Sequence, residues 1–318
     1  MDQIASLSHL ELYDQVEPTG KICASLITPR AHLIKATKRD VYSYGPHERH
    51  ELDLYTPSPE TPNPAGTGNR PLIMFLYGGG FASGDKIFDL FPDDLVYTNL
   101  GSFFADVLGY ETTVIDYRLT KHGVRFPRGA DDLDLALAWL DKHYAAQGPK
   151  DVYIVGNSAG GVHLTTWLFQ PEYLTSIQRL VAGTGTLKLK AAIPLSCPFT
   201  WPQYVIDSKV GVSVKGYYGD ESKVAQNASL LLAQRALKDA PKDTAWPPIF
   251  VIVMDMDPQD IRESGREFYE LWKAAGHKAD YRILKDHNHF TPVWALRSGD
   301  PGFEKWAHEL GDWMKALE

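Results

Sequence analysis

Short apolar runs alternate with helical patterns along most of the chain. Segments 33–42 and 50–55 alternate apolar and polar side chains, which predicts an antiparallel pair of strands at a sheet edge. Continuous apolar runs, typical of strands buried on both faces, follow at intervals. We predict such strands at 71–77, 111–117, 151–155, 191–195, 246–254 and 280–284. Apolar residues at helical spacing predict helices at 98–108, 131–140, 161–169, 228–237, 263–275 and 303–317.

The alternation of strands with long helices favours a mostly parallel sheet covered by helices on both faces. One segment breaks this pattern, because residues 196–245 are too long for an ordinary connection between two core strands. This insertion is rich in aromatic residues and contains a predicted helix. We expect it to form a lid over the functional site together with residues 1–32. The whole chain, 1–318, is predicted to be a single domain.

The composition is that of an ordinary soluble globular protein and excludes several classes of function. Apolar residues make up 44% of the chain, and the net charge of −8 with no basic run argues against a nucleic-acid partner. No apolar run approaches the roughly 18 residues of a membrane span, and the N-terminal residues lack the pattern of a signal peptide. We therefore expect a cytoplasmic protein. Cys23 and Cys197 are predicted to be buried free thiols.

A serine motif stands between a predicted strand and a predicted helix. Gly156-Asn-Ser-Ala-Gly160 has the form G-x-S-x-G, with strand 151–155 before it and helix 161–169 after it. That order is the context of a nucleophile elbow, a sharp turn that exposes its serine. The two glycines leave room for a strained backbone. Ser158 is therefore the predicted nucleophile, placed at a helix N-terminus that favours negative charge.

Two loops later in the chain supply the partners that a serine nucleophile needs. A base must remove the serine proton, and an acid must orient that base. In this fold the acid precedes the histidine along the chain, each at the end of a strand. The first loop offers Asp255, Asp257 and Asp260, and the second offers His287 and His289. We favour Asp257 and His289, and the other members of each loop remain open.

Glycines after a buried strand suit the binding of an oxyanion. Gly78, Gly79 and Gly80 follow strand 71–77, and glycines let backbone N–H groups point into a site without an intervening side chain. We predict Gly79, Gly80 and the N–H of Ala159 as the oxyanion donors. A phosphate-binding loop is the weaker interpretation, because neither G-x-G-x-x-G nor a P-loop lysine–serine pair is present. No spacing of histidines, cysteines and carboxylates predicts a metal site.

These motifs together resemble the hormone-sensitive-lipase-like and carboxylesterase branches of the α/β-hydrolases, including fungal-type carboxylesterases. The segments that carry the resemblance are Tyr77-Gly-Gly-Gly-Phe81, Asp116-Tyr-Arg-Leu119, Gly156-Asn-Ser-Ala-Gly160, Asp257-Pro258, His289-Phe290, Tyr44-Gly-Pro46 and Leu52-Asp-Leu-Tyr-Thr-Pro57. The resemblance covers residues 40–315 and implies an α/β-hydrolase fold with about eight strands, helices on both faces and a helical cap. It further implies hydrolysis of carboxylic esters through an acyl-enzyme, without a cofactor.

One position departs from the family pattern. The family usually has histidine where this chain has Tyr77. The phenol is a candidate for contact with the substrate, and we also assign Phe81, Trp201 and Tyr217 to substrate binding. These aromatic residues predict an apolar pocket.

The predicted function is that of a serine carboxylesterase acting on a small-molecule ester through Ser158, His289 and Asp257. Three alternatives remain open: an amide or formamide hydrolase similar to arylformamidases, a repurposed lyase or cyclase, and a ligand-binding protein that keeps the fold. A homodimer is also left open by the sequence.

Overall fold

The computed structural model describes residues 2–66 and 68–317, which form an eight-stranded sheet with helices on both faces. The strands are β1 (Lys38–Ser43), β2 (Glu51–Thr56), β3 (Leu72–Leu76), β4 (Glu111–Ile115), β5 (Lys150–Asn157), β6 (Leu187–Leu195), β7 (Ile249–Met254) and β8 (Ala279–Leu284). Their order is β1-β2-β4-β3-β5-β6-β7-β8. Strand β2 pairs antiparallel with both β1 and β4, and the pairs from β4 to β8 are parallel. The predicted fold class, sheet size and antiparallel edge pair are confirmed.

The helices occupy the connections between these strands and both ends of the chain. They are α1 (Asp2–Ala5), α2 (Val16–Ile27), α3 (Ala31–Ala36), α4 (Leu95–Ser102), α5 (Gly129–His143), α6 (Ala159–Phe169), α7 (Leu174–Ala182), α8 (Gln203–Ile206), α9 (Lys209–Tyr218), α10 (Glu221–Asn227), α11 (Ser229–Asp239), α12 (Gln259–Ala274), α13 (Thr291–Trp294) and α14 (Pro301–Lys315). A π-helical turn, Phe103–Val107, continues α4. No helix of the described residues is long and apolar enough to cross a membrane.

Strand β3 shows how the sheet separates two apolar layers. Leu72, Met74 and Leu76 face a layer that includes residues of α5, α6 and α12, whereas Ile73 and Phe75 face a layer that includes residues of α2, α4 and α14. Successive side chains of a strand point to opposite faces, so a continuous apolar run is the pattern that a central strand requires. Both faces of the central strands are therefore buried.

The structure differs from the sequence prediction at one strand and one helix. The first strand was predicted from residue 33, but residues 31–36 form helix α3 and the strand begins at Lys38. Ile34 is fully buried from that helix, so its packing outweighs the short alternating pattern. Helix α7 was not predicted at all, although its apolar face buries Ile177 and Leu180. Cys23 and Cys197 are buried and free, as predicted.

The parallel strands bring their carboxyl ends to one edge of the sheet, where the candidate chemistry lies. The loop 78–81 follows β3, Ser158 follows β5, and Asp257 follows β7. Ligands of open α/β sheets bind at this edge. The N-terminal helices and the segment 203–239, which forms α8 to α11, lie on the same side, since both contribute residues to the cavity at this edge.

Candidate active site

Ser158 occupies a strained turn between β5 and α6. Its backbone angles are φ 52° and ψ −119°, outside the regions that non-glycine residues favour. The turn is tied to the neighbouring strand by a hydrogen bond from the Ser158 N–H to the Leu195 carbonyl, 2.9 Å long. The serine side chain is half-buried and lines the cavity at this edge of the sheet. These are the features of a nucleophile elbow.

The glycines on either side of Ser158 are required by close approaches of backbone. A Cβ atom added to Gly156 would lie 2.6 Å from the Gly160 carbonyl oxygen. A Cβ added to Gly160 would meet the Leu76 carbonyl oxygen well inside van der Waals contact. Neither neighbour is a flexible side chain, so neither can move aside cheaply. The spacing of the motif is therefore a packing requirement of the turn.

His289 and Asp257 form a buried pair beside this turn. Nδ1 of His289 lies 2.7 Å from Oδ1 of Asp257, and each residue is only 3% exposed. With Nδ1–H donating to the carboxylate, Nε2 is the nitrogen left to accept a proton. His289 lines the same cavity as Ser158. Within the described residues no hydrogen bond joins the serine hydroxyl to His289, and such bonds are commonly long without substrate.

The second oxygen of Asp257 is held by donors that the sequence did not reveal. Oδ2 accepts a 2.8 Å hydrogen bond from the Met254 N–H and a 2.6 Å hydrogen bond from the Ser196 hydroxyl. Ser196 directly follows strand β6. Its position at a strand end was the only feature of the sequence that could have indicated a role in this site. The carboxylate is thereby fixed in place and its charge is stabilised by three hydrogen bonds, including the one from His289.

The other loop candidates have different partners. Asp255 accepts hydrogen bonds from the backbone N–H groups of Asp286 and His287, at 3.1 and 3.3 Å, and so shapes the histidine loop. His287 bonds to Thr291 through Nδ1 at 3.0 Å and does not line the cavity. Burial lowers the pKa of His287 to about 4. Asp260 lines the cavity and accepts a 3.3 Å hydrogen bond from the Tyr204 hydroxyl.

The loop after β3 that contains Gly78, Gly79 and Gly80, called the glycine loop below, passes directly beside Ser158. A Cβ added to Gly78 would lie 2.9 Å from the Ser158 Cβ. Gly79 and Gly80 have φ angles of 135° and 58°, which side chains disfavour, and both line the cavity with Ala159. Gly79 and Gly80 thus lie at the cavity that Ser158 lines.

Tyr77 does not contact the cavity, which corrects its assignment to substrate binding. The side chain is fully buried, its ring is stacked between those of Tyr97 and Tyr117, and its hydroxyl donates to Asp116. The same hydroxyl accepts a 2.6 Å hydrogen bond from Arg49. The phenol thus donates one hydrogen bond and accepts one within the protein, so Tyr77 supports the loop behind the site.

Arg49 joins this network to the far end of the glycine loop. Its guanidinium bonds to the Gly84 carbonyl at 2.9 Å and to Asp85 at 2.7 Å, and lies 3.1 Å from Asp116. Asp116 also accepts the Lys86 N–H at 3.0 Å. Burial raises the pKa of Asp116 to about 7, opposed by the charge of Arg49.

The cavity has a volume of about 640 Å³ and a mainly apolar lining. Phe81 and Trp201 line it. Tyr217 does not, because its ring lies behind Phe81, stacked at 4.3 Å. The Tyr217 hydroxyl is 3.3 Å from Nδ1 of His163, whose pKa is lowered to about 4 by burial. Tyr217 therefore supports a wall of the cavity, and its assignment to substrate contact is corrected.

Two chain segments distant in sequence contribute walls of the cavity. Residues of the N-terminal segment are Glu11, Leu12, Tyr13 and Val16, and those of the 196–245 insertion are Pro198, Trp201, Tyr204, Val205, Ser208, Lys209, Val210 and Val214. An exposed ion pair of 3.3 Å between Lys209 and Asp14 joins the two segments. Thr19 of α2 also accepts a 2.8 Å hydrogen bond from the buried Asn288 side chain of the histidine loop. The described residues contain no cluster of side chains suited to hold a metal ion.

Part of this chain is similar in sequence to a family model and to proteins named as esterases. Residues 52–181 match the BD-FAE family model. Juvenile hormone esterase of Heliothis virescens is 30% identical over 151 residues, which is 45% of this chain and 26% of that protein. Acetylcholinesterase of Leptinotarsa decemlineata is 29% identical over 133 residues, 37% of this chain and 20% of that protein. The matches thus span about a quarter or less of the length of these relatives.

Solved structures match over nearly the whole chain. Esterase B from Lactobacillus rhamnosis is 17% identical with a TM-score of 0.63, covering 94% of both chains. The hyperthermophilic esterase from the archaeon Pyrobaculum calidifontis is 17% identical with a TM-score of 0.62, covering 96% of this chain and 92% of that chain. The chain therefore has the α/β-hydrolase fold, and its predicted resemblance to the esterase branches is confirmed.

Proposed function

We propose that this esterase-type α/β-hydrolase cleaves carboxylic esters through an acyl-enzyme intermediate, with Ser158 as nucleophile, His289 as base and Asp257 as acid. The observation that carries the proposal is the buried 2.7 Å pair of His289 and Asp257 at the cavity that Ser158 lines. Serine acyl transfer requires a nucleophile, a base and an acid that orients the base, and this pair supports the last two roles.

The proposed steps follow from the protonation of His289. Nε2 takes the proton of the Ser158 hydroxyl as its oxygen attacks the ester carbonyl, and the resulting imidazolium is stabilised by Asp257. His289 then returns the proton to the alcohol oxygen as the bond from that oxygen to the acyl carbon breaks. A water molecule enters, gives a proton to His289 and attacks the acyl carbon. The bond between the acyl carbon and the Ser158 oxygen then breaks, that oxygen takes the proton back from His289, and the acid is released.

Backbone N–H groups are proposed to stabilise the negative oxygen that forms in each half of the reaction. We assign this role to Gly79, Gly80 and Ala159, which line the cavity beside the serine. The Ala159 N–H also opens helix α6, whose dipole favours negative charge at its N-terminus. Loss of one such donor typically lowers kcat by ~10² to 10³-fold.

The proposed substrate is a small-molecule ester with an apolar portion. The support is the mainly apolar lining of the cavity, to which Phe81 and Trp201 contribute. Segments 1–32 and 196–245 are proposed to act as the cap that encloses the substrate, since both contribute cavity walls.

The test is hydrolysis of short-chain p-nitrophenyl esters by the wild type and Ser158→Ala. We expect the variant to lose activity by about four orders of magnitude or more, because the nucleophile is absent. Ser176→Ala, in helix α7 and outside the cavity, is the matched control and should keep full activity. Circular dichroism confirms that each variant is folded.

Equal activity of the wild type and Ser158→Ala would contradict the assignment of the nucleophile. A comparison of kcat/KM on matched ester and anilide substrates addresses the bond that is cleaved. A higher value for the anilide would retain the triad and replace ester hydrolysis with amide hydrolysis.

A further inference from the structure

Asp260 is a buried carboxylate in the wall of the proposed active site. It lies in the first turn of α12, is 8% exposed and lines the cavity. Its side-chain hydrogen bond comes from the Tyr204 hydroxyl, at 3.3 Å. Among the described residues no lysine, arginine or histidine forms an ion pair with Asp260. This carboxyl group thus lines a largely apolar cavity and has no ion-pair partner among the described residues.

The nearby basic side chains are engaged elsewhere. Arg262, two positions along the same helix, donates through Nε to the Asp257 carbonyl at 3.1 Å. Lys209, at the edge of the cavity, pairs with Asp14. Burial raises the pKa of Asp260, and the negative charge of Asp257 acts in the same direction, whereas its backbone hydrogen bond, its bond from Tyr204 and positive charge on His289 oppose the rise. His289 itself is paired with Asp257. A buried carboxylate without a cation is costly, so an incoming positive charge would relieve this cost.

Aromatic rings stand beside this carboxylate. Tyr204 reaches Asp260 through its hydroxyl, and Trp201, three residues before it, also lines the cavity. Aromatic faces attract ammonium groups. Ile261 and Val205 complete an apolar surround that can accept the alkyl part of such a ligand.

We propose that Asp260 and Tyr204 form a subsite for a positively charged ammonium group carried by the substrate. The proposal rests on the proposed function, in that the cavity beside Ser158 is taken as the place where the ester binds. Asp260 is assigned as a specificity-determining residue, and the substrate class narrows to esters that carry an aliphatic ammonium group. A neutral hydrogen-bond donor would leave the buried charge uncompensated and is therefore a poorer occupant.

A structural role for Asp260 makes a different prediction. An acidic residue in the first turn of a helix stabilises that helix through its dipole. That role would change the stability of the protein equally with or without a ligand, and it would not distinguish charged from neutral ligands. A ratio of affinities therefore separates the two roles.

The test compares hexylammonium with 1-hexanol, which have the same alkyl chain and differ in charge. Binding is measured by calorimetry on Ser158→Ala, so that the measurement does not depend on catalysis. We expect hexylammonium to bind about tenfold or more tightly than 1-hexanol, as a charge-assisted contact would provide. Asp260→Asn in the same background should bring the two affinities to within about twofold while the affinity for 1-hexanol stays unchanged.

Glu263→Gln is the matched control, because it removes one carboxylate from α12 outside the cavity. It should leave the tenfold preference intact. Asp260→Ser serves as a second variant where Asp260→Asn does not fold. Equal affinities in Ser158→Ala alone, or a preference that survives both Asp260 substitutions, would overturn the proposal. Hydrolysis of p-nitrophenyl acetate by the wild type, measured separately, shows whether the proposed function itself holds.

Discussion

His287 and His289 are two residues apart, yet their imidazoles lie in different surroundings. His289 contacts Asp257 and the cavity, whereas His287 bonds to Thr291 and packs edge-on against Phe303, with ring centres 5.9 Å apart. Alternation within the loop sends one ring toward the carboxyl edge of the sheet and the other toward helix α14. The two side chains thus offer a matched pair for separating catalysis from packing.

We expect His289→Ala to lower kcat/KM for a p-nitrophenyl ester by about four orders of magnitude, since removal of one triad member disables the whole unit. His287→Ala should keep kcat/KM within a fewfold of the wild type. It should lower the free energy of unfolding by about 1–3 kcal/mol, because Thr291 loses a buried partner. Steady-state kinetics and urea denaturation of both variants measure these effects. A folded His287→Ala without activity would exchange the proposed roles.

At the scale of single residues, the sequence predicted which loops meet at the site. It did not determine which side chains of each loop point into the cavity. Strand ends place Asp257 and His289 at one edge, and this follows from the order of the strands alone. The choice within each loop depends on backbone turns that the sequence pattern does not encode. Tyr77 and Tyr217 illustrate the same limit, since an aromatic residue near a site can line the cavity or support its wall.

At the scale of elements, the elbow between β5 and α6 depends on two contacts between backbones. Gly160→Ala would force a Cβ against the Leu76 carbonyl of the adjacent strand. We expect it to lower the free energy of unfolding by about 3 kcal/mol or more, in the range of overpacked core sites, and to reduce kcat. Gly216→Ala is the control, because a Cβ there meets no atom within 4 Å.

Gly216 lies in helix α9, where alanine is favoured over glycine by roughly 0.5–1 kcal/mol. Gly216→Ala should therefore stabilise the protein by up to that amount and leave activity unchanged. Both variants are measured by thermal and urea denaturation and by ester hydrolysis. A Gly160→Ala variant as stable as the wild type would show that β3 and α6 can separate without cost.

The elements were predicted with unequal success for physical reasons. Central strands such as β3 and β7 are apolar on both faces, so their continuous apolar runs are readily predicted as strands. Helix α3 was taken for the start of β1, because a six-residue helix with one buried side chain leaves too short a periodic pattern. The segment from 196 to 245 was predicted as an insertion from its length alone, while three of its helices were not predicted individually.

At the scale of the whole molecule, buried histidines link stability to pH. The pKa of His163 and the pKa of His287 are both lowered by burial to about 4, below the value of 6.5 for an exposed histidine. Between pH 6.5 and 4 the unfolded chain therefore binds protons that the folded chain does not, so these groups make stability fall as pH falls. Asp116 acts in the opposite sense over the window from about 4 to 7, because burial raises its pKa to about 7.

The contribution of His287 to this pH dependence of stability can be measured separately with a variant. We expect the free energy of unfolding of His287→Gln to change less between pH 7 and pH 5 than that of the wild type, by about 2 kcal/mol. Urea denaturation at the two pH values measures the difference. His9→Gln, at an exposed position, is the control and should reproduce the wild-type dependence. An unchanged dependence in His287→Gln would mean that folding does not lower the pKa of His287.

The hydrogen bond between Thr19 and Asn288 has a consequence for the synthesis of the protein on the ribosome. Its partners lie 269 residues apart, so the second is made long after the first, on the order of tens of seconds at typical translation rates. During that interval the apolar side chains of α2 have no C-terminal loop to cover them. The cavity, whose lining runs from Glu11 to Trp294, can be complete only once nearly all of the described sequence has emerged.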